Sequence, residues 1–497
     1  MIIHFIGIGG IGVSSLAQYY LAKGNKVSGS DLAESETTKA LQKKGVKIFI
    51  GHKAENVPKN VDLVIYTPAT PKNNPELKEA KSLKIKNLRA KRMKFSSSAS
   101  LHSEARQLKI LSYPQALGEL TKEYFTIAVC GTHGKSTTTA MISLILIEAG
   151  LNPTVIIGTK LKEFGNSNFR MGGEPNLSTN NNIKRTLLQG RNVLVIEADE
   201  HFASFLNYWP QIIVLTNIDR DHLDYYKNLK NIFKAFKEFI SHLPKNGYLI
   251  FNKDDKNIKK LLSPKMSTNR RSSKKVHFSL SQNIERKKLK EILKVPGEHN
   301  IQNALAALTC ARVLRVPDKI SFEALSKYQG AWRRFEEHDL KIKNLNLKII
   351  SDYGHHPTEI KATLKAAREK FPGKRIILIF QPHQHQRTKF LFKDFVKSFD
   401  ETDILILTEI YGVAGREKEE KLSSKDLAIA IEKRWNKSGK RKEERGKKSV
   451  VFIKDMEDIP DFLTKILKPN DVVMIMGAGN IYNLFLRLHQ GEKNNLS

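Results

Sequence analysis

Cysteine is nearly absent from this sequence. The two that occur, Cys130 and Cys310, are too few and too far apart to read as a disulfide framework or a metal site. Cys130 immediately precedes a glycine-rich loop and reads as a small apolar residue closing a buried strand. Long hydrophobic runs are missing as well. No apolar stretch approaches the roughly 18 residues that a membrane-spanning helix needs. The apolar start Met1-Ile2-Ile3-His4-Phe5 passes into glycines without the basic segment or cleavage site of a signal peptide. The expectation is a cytoplasmic protein with no membrane insertion. Acidic residues are scarce beside basic ones, 51 against 84, for a net charge of +33. An excess of this size raises the question of a nucleic-acid partner. Much of it is concentrated in the polar stretches Lys84 to Lys94, Lys256 to Lys275 and Lys433 to Lys448, and none of these carries the interleaved aromatic residues of a single-strand stacking platform. We read them as solvated basic surface with no nucleic-acid partner, in a field that also suits an anionic nucleotide substrate.

What is present is an ordinary globular composition, 40% hydrophobic over 497 residues, more chain than one compact core accommodates. Short apolar runs alternate with helical patterns, which predicts an α/β protein with parallel sheets. A strand over 2–6, a glycine turn, a helix from Ser14 and a strand ending at Asp31 open a Rossmann-like N-terminal domain, to which the runs 46–50 and 61–66 also belong. A strand over 125–129 enters a glycine loop and a helix over about 135–149. Further strands over 193–197 and 212–215 end in carboxylate-bearing loops, the layout of a P-loop-type central ATPase domain. The alternation restarts with runs over 347–352, 375–380, 403–408 and 472–476, giving a Rossmann-like C-terminal domain. The expected boundaries are 1–122, 123–330 and 331–497. A near-repeat, Glu79 to Ile85 against Glu104 to Ile110, reads as an insertion on a surface loop.

Gly7-x-Gly9-x-x-Gly12 follows a strand, opens a helix and has Asp31 some twenty residues on, the context of a diphosphate-binding turn. That turn alone does not separate a nicotinamide cofactor from a UDP-sugar. Gly131-Thr-His-Gly-Lys-Ser-Thr137 departs from strict P-loop spacing, because Val129 stands where the first glycine would fall. The working parts are nonetheless in order: backbone amides for a β-phosphate, Lys135 for the β and γ oxygens, and a Ser136 hydroxyl for Mg²⁺. Magnesium takes hard oxygen ligands and few protein carboxylates. Glu197 at a strand end is the first candidate and His222 a second, with Asp199 and Glu200 as alternatives.

These motifs together with Thr216-Asn-Ile-x-x-Asp-His-Leu-Asp224, Pro296-Gly-Glu-His-Asn-x-x-Asn303, Arg333-Arg-Phe-Glu336, Asp352-Tyr-Gly-His-His-Pro-Thr-Glu359 and Gln381-Pro-His-Gln-His-Gln-Arg-Thr388 resemble the Mur ligases nearly end to end. The resemblance implies an ATP-dependent amide ligase that joins L-alanine to the carboxylate of UDP-N-acetylmuramate through an acyl phosphate, in peptidoglycan synthesis. It implies UDP-sugar binding by Gly7, Gly9, Gly10, Gly12, Ser30, Asp31 and Thr67. ATP falls to Gly131, Thr132, His133, Gly134, Lys135, Ser136 and Thr137, with His299 and Asn303 on the adenine side and Arg334 and Asp352 from the third domain. Tyr353, His383 and Arg387 would receive the amino acid, and Lys135, Arg334 and His383 would act in catalysis. Either Arg333 or Arg334 could instead be structural, and His355 and His356 read as structural more than catalytic. Gln384 departs from the arginine usual after that histidine, which leaves glycine or serine open as the amino acid. Three rivals stand beside this reading: a family member that attaches an intact tripeptide, a nicotinamide-dependent dehydrogenase, and a nucleic-acid-stimulated ATPase.

Overall fold

The computed structural model describes residues 1–96, 107–174, 188, 190–263, 273–342, 344–413, 422–437 and 448–490. Three sheets account for its architecture. The first has five parallel strands in the order Lys47–Ile50, Lys26–Asp31, Ile2–Ile6, Leu63–Tyr66, Lys109–Ser112. The second has seven, ordered Lys274–Phe278, Tyr248–Asn252, Ile212–Leu215, Phe125–Cys130, Val193–Glu197, Thr154–Leu161, Ser167–Arg170, with the last antiparallel to its neighbour. The third has six: Glu336–Ile342, antiparallel to Leu345–Asp352, then Val472–Met476, Ile376–Phe380, Ile404–Leu407 and Ser449–Phe452 in parallel. The expected α/β class with three domains holds.

The central strands are buried on both faces, as parallel sheets under helices require, and all six side chains of Phe125–Cys130 are buried. Burial pushes the Cys130 thiol up, away from reactivity. One apolar cluster runs continuously from Ile3, Phe5 and Leu16 beneath the first sheet to Ala128, Ile196 and Ile213 of the second, so these two domains share a core. Gln18 and Ser14 add a polar tie across the same junction through Asn168, at 2.9 and 3.0 Å. The third sheet instead lies between two clusters of its own.

Two expectations need correction. The second near-repeat copy is no surface loop where it can be described: Leu108 is buried and Lys109 and Ile110 begin an edge strand paired to Leu63 and Val64. Pairing to a neighbouring strand overrides the local likeness to the first copy, which lies in the helix Pro75–Ser96. Residues 104–106 of that copy, the Ser96 to Ser98 segment beyond Ser96, and parts of the 256–275 and 433–448 basic stretches lie outside the described residues. Ser30, expected at the UDP-sugar, turns its side chain into the interior instead. It is fully buried, donates to Glu76 at 2.5 Å and lies 3.0 Å from His52 Nδ1. Its side chain therefore serves an interior network, in which Glu76, from the helix Pro75–Ser96, also takes an N–H of Asn56 at 2.6 Å.

Candidate active site

The loop after Phe125–Cys130 is shaped by two glycines that no other residue could replace without strain. Gly131 sits at φ +128°, and a Cβ there would lie 2.2 Å from Thr216 Oγ1. Gly134 sits at φ +80° as the N-cap of the helix Lys135–Glu148, and a Cβ there would lie 2.4 Å from Asn303 Oδ1. The loop is pinned from the next strand: Thr216 Oγ1 and Asn217 Nδ2 donate to the His133 carbonyl at 2.7 and 2.9 Å, and Asn217 Oδ1 accepts the His133 N–H at 2.8 Å. The result is a rigid cradle of backbone amides at a helix N-terminus, suited to phosphate.

Lys135 Nζ donates to Glu200 Oε2 and to the Gly131 carbonyl, both at 2.8 Å, and lies 3.9 Å from Asp199. Burial works against its charge, but Glu200, Asp199 and Glu197 outweigh burial and hold its pKa above the ordinary lysine value. Burial pushes Glu200 up despite Lys135. Ser136 Oγ donates to Glu197 Oε2 at 2.9 Å, and the Gly158 N–H reaches the same oxygen at 2.9 Å. Glu200 Oε1 is buried without a hydrogen-bond partner among the described residues, and His222 Nε2 lies 3.7 Å from it. The structure thus places Ser136 against Glu197 and sets His222 beside Glu200, stacked on His201 at 4.1 Å. Hard oxygens at a strand end, one of them orphaned, beside a phosphate cradle fit a Mg²⁺ ion.

Next to this loop lies a cavity of about 480 Å³, lined by His133, Gly134 and Thr137 of the loop, by His299 and Asn303, and by Arg334 and Asp352 of the third domain. Its volume lies in the range of small-molecule sites, and it gathers seven of the residues expected around ATP. Burial, then Arg334, lower the His299 pKa to about 4, so it is neutral. Arg334 reaches within 3.9 Å of Glu359. Arg333 diverges from it: buried, it donates to the Gly477 carbonyl and stacks on Tyr482 and Tyr353 at 4.8 and 5.0 Å. Of the pair, Arg334 lines the cavity and Arg333 does not.

Among the residues expected to receive the amino acid, Arg387 Nε and Nη2 meet Asp221 Oδ1 at 3.0 and 2.9 Å, and Nη1 donates to His383 Nδ1 at 3.1 Å. His383 stacks on Tyr411 at 5.6 Å and meets His355 at the same distance; Tyr353 lies edge-on to His355 at 5.4 Å. His355 is neutral, because burial and then Arg387 lower its pKa to about 4. Two carboxylates without an expected role also appear here, and His356 takes the structural part expected of it. Asp219 and Glu359 flank His133, while His356 caps the helix Pro357–Lys370 by accepting the Thr358 N–H at 3.2 Å. In the first domain, Asp31 Oδ2 accepts the Gly9 N–H at 2.8 Å, and Thr67 packs on Gly7, where a Cβ would come within 2.4 Å of its methyl. Gly10 is the N-cap of the helix Ile11–Ala22, and Gly12 abuts Tyr113.

A phosphate cradle facing a cavity that a further α/β domain closes, with a second glycine turn on the first domain, defines a three-domain nucleotide-binding enzyme. Family models match it in three consecutive parts: the Mur ligase family catalytic domain over residues 2–95, the Mur ligase middle domain over 129–311, and the Mur ligase glutamate ligase domain over 333–479. The chain is 38% identical to the UDP-N-acetylmuramate--L-alanine ligase of Clostridium kluyveri, covering 97% of this chain and 96% of that one, and 39% identical to the ligase of the same name from Acetivibrio thermocellus, covering 97% and 94%. It is similar in structure to the UDP-N-acetylmuramate-alanine ligase of Thermotoga maritima, with TM-score 0.69, 26% identity and 99% coverage of both chains. A murein peptide ligase from Psychrobacter arcticus, 24% identical with TM-score 0.63 over the whole of both chains, has the same fold. The chain belongs to the Mur ligase family.

Proposed function

We propose that this chain is the ATP-dependent ligase that joins L-alanine to UDP-N-acetylmuramate, an early step of peptidoglycan synthesis. The observation that carries the reading is that His133, Gly134 and Thr137, of the same loop and helix start as Lys135 and Ser136, line a cavity whose opposite wall, with Arg334, Asp352 and Glu359, comes from the domain bearing His383 and Arg387. The domains divide at 1–122, 123–330 and 331–497. The first holds the UDP-sugar at the glycine turn, the second holds ATP and the third receives the amino acid. Asp31 already satisfies the turn from behind, which leaves the N-terminus of the helix Ile11–Ala22 for diphosphate oxygens.

In the reaction, a carboxylate oxygen of the muramyl group forms a bond to the γ-phosphorus of ATP as the β–γ bridging bond breaks and ADP leaves. The amine nitrogen of alanine then attacks the resulting acyl carbon. The carbon–oxygen bond to phosphate breaks, and inorganic phosphate and the amine proton depart. Two anions must approach in the first step, so Lys135 leaves Glu200 for the β and γ oxygens, and Arg334 neutralises charge from the opposite wall. Ser136 and Glu197 would hold Mg²⁺, with His222 and Glu200 beside it; when bound it screens phosphate charge. Closure of the third domain excludes water from the acyl phosphate. Among the described residues no helix is long and apolar enough to cross a membrane, and ATP-driven chemistry on a UDP-sugar is placed in the cytoplasm.

The test is phosphate release from ATP-Mg²⁺ that requires UDP-N-acetylmuramate and an amino acid, run over a panel of amino acids and the tripeptide. Release should depend on L-alanine. Release with the tripeptide but not with alanine would transfer the protein to the recycling reaction, and release dependent on nucleic acid would refute the ligase reading.

A further inference from the structure

His133 occupies the phosphate loop, yet its side chain is held by groups outside the loop. Nδ1 lies 3.2 Å from Glu359 Oε1 and Nε2 lies 3.3 Å from Asp219 Oδ2. An ionised carboxylate only accepts hydrogen bonds, and a neutral imidazole has one N–H, so a neutral ring would set a lone pair against one of the two. The geometry is satisfied by imidazolium, donating at both ends.

The two acceptors belong to different domains. Asp219 follows the strand Ile212–Leu215 of the second sheet, and Glu359 lies in the first turn of Pro357–Lys370 in the third domain. The same seam is stitched by Thr358 Oγ1 donating to Asp219 at 2.7 Å and by His356 Nε2 donating to the Arg220 carbonyl at 3.2 Å. Glu359 is itself fixed, since its other oxygen accepts the N–H groups of His355 and His356 at 3.0 and 3.2 Å. His133, Thr358 and Glu359 all line the nucleotide cavity. A cation in place of the proton does not suit the cluster: His356, the nearby imidazole, accepts through Nδ1 and donates through Nε2, so it has no lone pair to give.

We propose that His133 is a positioning residue, an imidazolium gripped by Asp219 and Glu359 that latches the third domain onto the phosphate loop and so completes the nucleotide site. The inference rests on the ligase reading for what the closed site processes, not for its geometry. The groups facing the ring are Asp219 from the second domain and, from the third, Glu359, the His356 ring at 4.7 Å, and Arg334 and His355 at 3.9 and 3.6 Å from Glu359. Burial opposes the imidazolium charge, but the hydrogen bonds to Asp219 and Glu359 more than offset it and raise its pKa to about 9. The latch therefore holds at neutral pH and releases above that value.

The experiment uses the full chain with His133→Gln, Glu359→Gln and the double variant, measuring ADP affinity by calorimetry, the KM for ATP, and the pH dependence of kcat/KM for ATP. Losing a charged hydrogen bond should weaken ADP and raise the KM for ATP roughly 10- to 100-fold. UDP-sugar affinity should stay unchanged, and the variant should lack the alkaline limb expected near pH 9 in the parent protein. Glu359→Gln should add little to His133→Gln, since both break the His133–Glu359 contact that joins the two domains. Unchanged ADP affinity, a retained alkaline limb, or losses that multiply in the double variant would each overturn the latch. If His133→Gln does not fold, Glu359→Gln carries the same test from the other domain. ADP affinity is read without sugar or amino acid, so failure of the alanine-dependent reaction would refute the ligase reading while leaving this result in force.

Discussion

Replacing Lys135 with alanine should separate catalysis from stability in a way that only a buried charge cluster produces. The ammonium and Glu200 are 12% and 4% exposed and 2.8 Å apart, with Asp199 at 3.9 Å. Breaking such a pair from one side leaves an uncompensated buried charge and costs about 3–5 kcal/mol. At roughly 2–4 °C per kcal/mol for a domain of this size, the unfolding midpoint of the second domain should fall by roughly 6 to 20 °C. The deficit must vary with pH in a definite direction. Without Lys135, burial dominates Glu200, whose pKa is already raised in the parent protein. A carboxyl whose folded-state pKa exceeds its unfolded value, about 4.3 for Glu, contributes stability that is present at low pH and lost as pH rises through the folded-state pKa. The variant should therefore be nearest to the parent in acid and furthest from it at alkaline pH. Glu200→Gln in the same chain removes the stranded charge and should restore most of the midpoint, while kcat stays down by about 10²–10³ or more for want of a cation on the transferring phosphoryl. Thermal unfolding across pH and the phosphate-release assay read the two effects. A pH-independent deficit, or no recovery with Glu200→Gln, refutes the buried-pair account. Recovery of turnover in the double variant refutes the catalytic role of Lys135.

Two further outcomes follow from the geometry. Gly134→Ala forces alanine to φ +80° and drives its Cβ within 2.4 Å of Asn303 Oδ1; left-handed backbone alone costs about 1–2 kcal/mol, so the KM for ATP should rise about tenfold or more with the UDP-sugar KM unmoved, and normal ATP kinetics would show that the loop re-forms without its turn. Arg387→Ala should both raise the amino-acid KM and cost about 3–5 kcal/mol in chemical denaturation, because it strands Asp221 in a buried pair at 2.9 Å; an unchanged amino-acid KM with a raised ATP KM would move the residue to the nucleotide side.

The phosphate loop was legible because its constraints are local. A glycine at φ +80° and a lysine after it announce themselves in consecutive residues, as do the strand and helix on either side. The position of Glu197 at a strand end was legible for a similar reason, since it closes the apolar run Val193 to Ile196. The partners of His133 were not. Glu359 stands 226 residues away along the chain and Asp219 86, and no periodicity reports which loops of two domains meet. Ser30 misled for the same reason: next to Asp31 on a strand end it suggests a ligand contact, while its acceptor, Glu76, lies on a helix 46 residues on.

The arginine pair shows how backbone geometry, not side-chain chemistry, resolves such ambiguities. Arg333 and Arg334 are chemically identical and adjacent, so composition cannot rank them. The structure does so by placing Arg333 at φ +55° and Phe335 at φ +51°, left-handed conformations on both sides of Arg334. Such backbone costs about 1–3 kcal/mol per residue and persists only where its surroundings fix it. Here Arg333 is fixed among Trp332, Tyr353 and Tyr482, and Phe335 by its N–H to Asp352 at 2.8 Å. That kinked link joins the second domain to the third, and it turns Arg334 into the nucleotide cavity beside Asp352. The cation opposite the phosphate loop is thus carried on the same segment that connects the third domain, so the geometry that walls the cavity and the geometry that presents the charge are one.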